Sequence, residues 1–392
     1  MNNQITSPEE TSPEERARKK VFMVSGGAGR IICALPAFRK YLRNNRPEEF
    51  YIISQSGLEF FLGTEFQDFA FDPTHKGLFK NIIKDNNLIN LEPYQTHGYY
   101  NQEKSLTEAF DKLINETDDH EGLGRPEIVL SKTEEINAVN TVKLAKKQQE
   151  KAHTIVIQPF GRNATQHDGG HTVDATSRSL STDDYFYISE QLRKKYNVIS
   201  MTEIRFDNDK NMYVDANLRH WAGIIDAADY FVGIDSCGQH MAYAFNKPGS
   251  VIIGSTFAQN ISYPDHFNIL EKPNNYFNKE YSPIRIEGLD SDLADRKNDT
   301  CMDFTEKELK DITNNILKNI ERALGKTVYP GKGNTGVIKP TIVPASKKSK
   351  SKKSKKLFNE IKELPVVDLT TPVPLAPPKT IDEVLEANNI KP

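Results

Sequence analysis

Three stretches of this chain place small or polar residues where a charged ligand can meet backbone N–H groups. The first is Gly26-Gly27-Ala28-Gly29-Arg30, between an apolar run (VFMVS) and a helical one (IICALPAFRKYLRNN). Glycines admit close approach to the backbone, and the start of a helix offers unpaired N–H groups to an anion. The second is Gly233-Ile234-Asp235-Ser236-Cys237-Gly238-Gln239-His240, again between a strand-like run and a helix. Here Asp235 or Ser236 can cap the helix, or the same N–H groups can receive a diphosphate, with His240 one turn further in. The third is Pro159-Phe160-Gly161-Arg162-Asn163 followed by Arg178-Ser179-Leu180, a polar loop whose two arginines suit phosphate capture. Each stretch follows a strand-like run, so all three point to one side of a sheet.

Other chemistries lack their residues. The glycines do not follow the GxGxxG order, and no acid closes the second strand at Ile53-Ser54-Gln55, which disfavours a nicotinamide dinucleotide. No GxxxxGK[ST] run is present. Cys33, Cys237 and Cys301 have no zinc spacing and are too few for a disulfide framework, which points to a reducing compartment, read here as the cytoplasm.

These stretches must be positioned by the elements around them. Strands are expected at 21–25, 50–54, 126–130, 153–158, 198–201, 230–234 and 250–254. Helices are expected from about Ile31, near Leu106–Asn115, at Thr133–Glu150, from Thr182 or Asp183 to Lys195, and at Leu218–Ala228, Gln239–Phe245 and Thr305–Leu324. Pro36 argues for a later start to the first helix, since an interior proline costs about 3 kcal/mol. Thr305 and Glu308 form a capping box. Apart from the helix near Leu106–Asn115, residues 55–126 show no readable pattern. Short apolar strands alternating with helices imply parallel sheets covered on both faces, with ligands beyond the strands' carboxyl ends. The alternation restarts near residue 153. The chain therefore reads as a polar arm (1–20), a first Rossmann-like domain (21–152), a second (153–302), a final helix (303–326) and a Lys/Pro-rich tail (327–392).

The chain has 392 residues and a net charge of −3. The tail from 331 carries +6, leaving −9 for the remainder, too acidic for nucleic-acid binding by bulk charge. Lys347–Lys356, with seven Lys and three Ser, offers a weak hold on an anionic partner or a solvated extension. No apolar run reaches the ~20 residues of a transmembrane helix.

With these residues in view, the sequence resembles the heptosyltransferase-like glycosyltransferases of family 9, which have the GT-B fold. The similarity runs through Gly27–Pro36, Gln158–Gly161 with Arg178, Asp235–Pro248, and Gly254-Ser255-Thr256, in matching order over about 21–325. It implies an α/β protein of two Rossmann-like domains facing each other across a cleft. It also implies a metal-independent, inverting transfer of a sugar from a nucleotide-diphosphate donor to a hydroxyl of a glycan or lipopolysaccharide-like acceptor, with no cofactor. By the same resemblance, Asp235, Ser236, Gly238 and His240 form the donor-diphosphate socket and Gly254, Ser255 and Thr256 line it. Arg178 replaces a phosphate-binding Lys, Gly27, Gly29 and Arg30 face the acceptor, and the final helix packs back on the first domain.

Two departures stand out. Arg30 occupies the place of the Asp that deprotonates the acceptor, and arginine stays protonated. His97, Glu92 and Asp72 are substitutes by position. Cys237 stands where the family has Gly. A fold kept for binding without catalysis, and a transferase acting on nucleic acid through the Lys-rich tail, are the competing readings. The metal-dependent GT-A class would need a DxD; Asp207-Asn208-Asp209 fits in form only, in a polar loop.

Overall fold

In the computed structural model, two all-parallel sheets carry the chain. The structure describes residues 18–46, 49–167, 171–174, 176, 178–254, 256–271 and 302–325. The polar arm through residue 17, the Lys/Pro-rich tail, Ser255 and Cys301 lie outside them. The first sheet has β1 (Lys20–Val24), β2 (Phe50–Ser54), β3 (Ala70–Phe71) and β4 (Asn87–Leu91), in the order β3-β2-β1-β4. The second has β5 (Thr154–Ile157), β8 (Asn197–Ser200), β9 (Met212–Tyr213), β10 (Tyr230–Ile234), β11 (Gly249–Ile253) and β12 (Asn268–Glu271), in the order β12-β11-β10-β5-β8-β9. A small antiparallel hairpin, β6 (Ala164–Gln166) with β7 (Thr172–Asp174), rises between β5 and the next helix. The expected α/β class and its twin parallel sheets are thus observed.

The helices are α1 (Ala28–Asn44), α2 (His97–Tyr100), α3 (Leu106–Asn115), α4 (Lys132–Gln149), α5 (Thr182–Arg193), α6 (Leu218–Ala227), α7 (Cys237–Ala244), α8 (Ala258–Ile261) and α9 (Glu306–Leu324). Pro36 does not delay α1, which begins at Ala28. The missing hydrogen bond to Ile32 is offset because Ile31, Ile32, Leu35 and Phe38 are all buried, each worth about 1.5–3 kcal/mol. Helix α5 is capped by Ser181, whose hydroxyl accepts from the Asp184 N–H, rather than by Thr182 or Asp183. Residues 126–130 form no strand. Pro126 has no N–H to give, and the Val129 carbonyl accepts from Arg219 Nη2 instead of a neighbouring strand.

Two packing expectations are corrected. Helix α4, placed by sequence in the first half, covers the second sheet: Ala138, Val142 and Ala145 share a core with Val156, Ile199 and Ile224, and α4 lies along α6. Helix α9 does not return to the first half. Its stripe Leu309, Ile312, Ile316 and Ile320 covers Val198, Val232 and Ile252 on the other face of the second sheet, beside α5. The two halves are continuous on one side. A single apolar cluster runs from Phe22 and Ile52 through α1, Met241 and Ala242 of α7, to Phe231 and Phe267. Arg219 ties them further: it pairs with both oxygens of Glu134 and donates to the carbonyls of Val129 and Glu59.

Candidate functional site

The starts of α1 and α7 meet at the junction of the halves. A Cβ on Gly29 would sit 3.0 Å from His240 Cδ2 and 3.6 Å from Cys237 Cα, so a side chain here would press on the imidazole ring and push it back by a few tenths of an ångström. Gly27 differs: a Cβ there would meet nothing within 4 Å, and the residue is exposed. Gly26, at φ +86°, makes the turn itself, with its N–H donating to Gln55 Oε1 at 2.9 Å.

Arg178 and Asp235 form the charged centre. Arg178 Nη1 is 3.7 Å from Asp235 Oδ2, with the arginine side chain 28% exposed and the aspartate 10%. Gln239 Nε2 donates to the other Asp235 oxygen at 3.2 Å. Arg178 is held by a cage that the sequence did not announce. Asp174 Oδ1 accepts from the Thr176 N–H (2.8 Å) and hydroxyl (2.6 Å), and Oδ2 accepts from the Ser179 N–H (3.1 Å) and hydroxyl (2.6 Å). Thr176 Oγ1 in turn accepts from Arg178 Nε at 3.0 Å, while Ser179 Oγ accepts from the Gly161 N–H at 2.9 Å. Burial works against the Asp174 carboxylate, but the Ser179 and Thr176 donors prevail and hold it below the ordinary range. Burial likewise opposes the Arg178 charge, and Asp235 with its neighbours outweighs that and fixes the cation.

The α7 N-terminus is already partly occupied. Ser236 is the N-cap residue, yet its side chain caps nothing; its hydroxyl accepts from Gln158 Nε2 at 3.0 Å. Gln158 Oε1 accepts from the Gly238 N–H at 3.0 Å. A Cβ on Gly238 would lie 2.3 Å from that oxygen, so glycine is required by the amide clip. Cys237 is kept a thiol, its acidity weakened by burial.

His240 is wedged between the halves, with Nδ1 2.9 Å from Tyr263 Oη and 3.4 Å from Cys33 Sγ. Burial lowers its pKa to about 4 and raises that of Cys33 to about 12, so an uncharged imidazole faces an uncharged thiol. The side chain supplies packing and no positive charge near neutrality. Gly254 is buried at the end of β11, and nearby Thr256 is buried with a hydroxyl that finds no partner among the described residues. Ser255 is outside the described residues.

The acid–base substitutes are otherwise engaged. Arg30 Nη1 and Nη2 both lie 3.3 Å from Glu92 Oε2, and Nη2 donates to the Leu91 carbonyl at 2.8 Å. Asp72 Oδ1 accepts from the Thr74 N–H at 2.7 Å and from its hydroxyl, which holds the acid below the ordinary range. His97 is exposed, with Nε2 3.0 Å from the Asn101 amide. The Asp207–Asp209 loop plays a structural part, since Asp209 accepts from the Tyr185 hydroxyl and the Asn211 N–H. Among the described residues, no group of three or more His, Cys, Asp or Glu is gathered as a metal site. No helix among them is long and apolar enough to cross a membrane.

No protein-family model matches the chain, and no curated protein matches it. The chain is similar to solved glycosyltransferase structures at low identity. One is a family 9 glycosyl transferase from Veillonella parvula (11% identity, 66% of this chain and 87% of that one, TM-score 0.47). Another is the iron-containing dodecameric glycosyltransferase TibC from enterotoxigenic E. coli (9% identity, 80% of each chain, TM-score 0.48). A third is the E. coli ADP-heptose lps heptosyltransferase II (12% identity, 77% of this chain and 99% of that one, TM-score 0.45).

Proposed function

We propose that this chain is a glycosyltransferase that moves a sugar from a nucleotide-diphosphate donor to a hydroxyl of a glycan-type acceptor, with inversion and without a metal or cofactor. The observation that carries the reading is the Arg178–Asp235 centre. A cation is held in place by a dedicated hydrogen-bonded cage, stays partly exposed, and meets its carboxylate only at 3.7 Å. It lies past the carboxyl ends of β5 and β10, where open parallel sheets bind ligands.

In this reading the donor diphosphate lies against Arg178, near the Thr256 hydroxyl and the Ser236–His240 turn. When the anomeric carbon–oxygen bond breaks, negative charge grows on the leaving diphosphate, and a fixed guanidinium stabilises that charge more than the ground state. Asp235 faces the sugar side, and the acceptor approaches by the open turn at Gly27. The Arg30–Glu92 ion pair favours a second reading, a nucleotide-binding relative without turnover, because it leaves no free acid at the glycine turn.

The deciding experiment incubates the full chain with a panel of nucleotide sugars and measures released nucleoside diphosphate, alongside Arg178→Ala. Release that falls sharply in the variant supports the transferase. Thermal stabilisation by nucleoside diphosphates with no release selects the binding reading. Neither release nor stabilisation refutes both.

A further inference from the structure

The first sheet is covered unequally. On one face it buries Phe22, Val24 and Ile52 under α1. The opposite face carries Val21, Tyr51, Ile53 and Phe71, and its cover is Leu78 and Ile82, from a single π-helical turn (Phe79–Ile83) and the residue before it. With those two side chains turned inward, Phe79 stands out at 68% exposure, the highest of the large apolar side chains among the described residues. Leu88 pairs in register with Val21 and so shares its face, where it is 46% exposed. The turn is pinned. Asn86 Nδ2 donates to the Ile82 carbonyl at 2.9 Å, Asn86 Oδ1 accepts from the Lys19 N–H at 2.9 Å, and the Asn87 N–H donates to the Lys19 carbonyl at 2.9 Å. Phe79 is therefore held in solvent by the fold.

The charge around it has one sign. From Pro73 to Lys84 the chain holds three lysines and no acid. Lys76, Lys80 and Lys84 are all exposed, and none makes an ion pair among the described residues. Of the flanking acids, Asp72 accepts from the Thr74 N–H and hydroxyl, and Asp85 is exposed. A body that carries −9 outside its tail thus has one cationic corner, with an aromatic ring at its tip.

We propose that this corner docks on the surface of an anionic lipid bilayer: Phe79 enters the boundary between headgroups and acyl chains, and Lys76, Lys80 and Lys84 meet the lipid phosphates. A free aromatic ring among unpaired cations matches a surface that offers hydrocarbon and negative charge together. A nucleic-acid backbone would satisfy the lysines, but it gives the aliphatic Leu88 nothing to bury against. The contact is peripheral, since no helix among the described residues is long and apolar enough to cross a membrane. The turn is pinned at the amino end of β1, whereas the glycine turn follows its carboxyl end. The proposal therefore stands apart from the transferase reading.

The test uses the full chain with the seven lysines of Lys347–Lys356 changed to Gln, so that the tail cannot supply the attraction. It is sedimented with vesicles of phosphatidylglycerol and phosphatidylcholine in equal parts, and with vesicles of phosphatidylcholine alone. The expected result is binding to the first and not to the second, weakening as salt rises. Each lysine near such a surface is worth about fivefold, so Lys76→Gln, Lys80→Gln and Lys84→Gln together should weaken binding about 100-fold. Phe79→Ala should weaken it about tenfold. All four side chains are exposed, so neither the melting temperature nor nucleoside diphosphate release should move. Phe79→Trp should shift its emission to shorter wavelength when the anionic vesicles are added, because the one native tryptophan, Trp221, is buried and silent to them. Absence of binding to the anionic vesicles overturns the proposal. So does binding that the lysine variants weaken and Phe79→Ala leaves unchanged, which would mark a surface for a soluble polyanion such as nucleic acid. Neither result bears on nucleoside diphosphate release, so the transferase reading stands or falls separately.

Discussion

Glu92→Gln separates a structural acid from a catalytic one. The Arg30 and Glu92 side chains are only 7% and 8% exposed, so the pair is desolvated. Glutamine keeps the size and can still accept from the Tyr94 N–H, but it removes the countercharge. Arg30 is then left with the Leu91 carbonyl and the Tyr94 ring, while its Nε finds no acceptor among the described residues. Breaking a buried pair from one side costs about 3–5 kcal/mol. At roughly 2–4 °C per kcal/mol for a domain of this size, the melting midpoint should drop by about 6–20 °C. Replacing both partners, as Arg30→Met with Glu92→Leu, should restore most of the loss, because apolar replacement of a whole buried pair is close to neutral. Calorimetric unfolding of the four proteins reads this directly. A single-variant cost under about 1 kcal/mol, the level of an exposed pair, would refute the burial argument. Loss of turnover with an unmoved midpoint would instead return Glu92 to the role of base.

Three further outcomes follow from the geometry. Gly29→Ala should cost about 1–3 kcal/mol in denaturant unfolding, because the added methyl sits 3.0 Å from the His240 ring at a packed helix crossing. His240, whose pKa falls from 6.5 to about 4 on burial, should make stability pH-dependent. Above pH 6.5 both states are neutral there; as pH falls from 6.5 toward 4 only the unfolded chain takes up the proton, so stability drops by roughly 3 kcal/mol. His240→Gln should lack that part of the slope, read as the difference between two melting-versus-pH curves. Asp174→Asn turns one of the two acceptor oxygens into an NH2 donor and removes the charge, so either the Thr176 or the Ser179 hydroxyl loses its acceptor, which should loosen Arg178 and weaken nucleoside diphosphate binding about tenfold. Unchanged affinity in a titration would show that the cage does not aim Arg178.

Where the sequence was readable, one residue type dominated one element. Tyr230–Ile234 is a central strand buried on both faces and reads as an unbroken apolar run. The capping box at Thr305 and Glu308 marks α9 by local chemistry alone. Strand β4 was hidden because it is an edge strand whose Asn87 and Asn90 face solvent. The sheet that helix α4 covers is not legible in the sequence, because its buried stripe is only Ala138, Thr141, Val142 and Ala145, and small residues do not announce their partner. At the site, the glycine turn, Asp235 and Arg178 were legible as positions. Their partners were not. Glu92 lies 62 residues from Arg30, and Gln158 lies 80 from Gly238, separations that only a folded chain brings together.

The shared apolar cluster makes the two halves inseparable as folding units. Cutting the chain near residue 151 would strip Met241, Ala242 and Phe231 of their α1 neighbours and leave a greasy wall on each fragment. Grafting a foreign second half onto this first half would have to reproduce a histidine seated against Gly29, the Asn260 tether and the Arg219 clasp all at once. Exchanging one half alone would therefore break contacts on both, and the two behave as one body rather than as interchangeable modules.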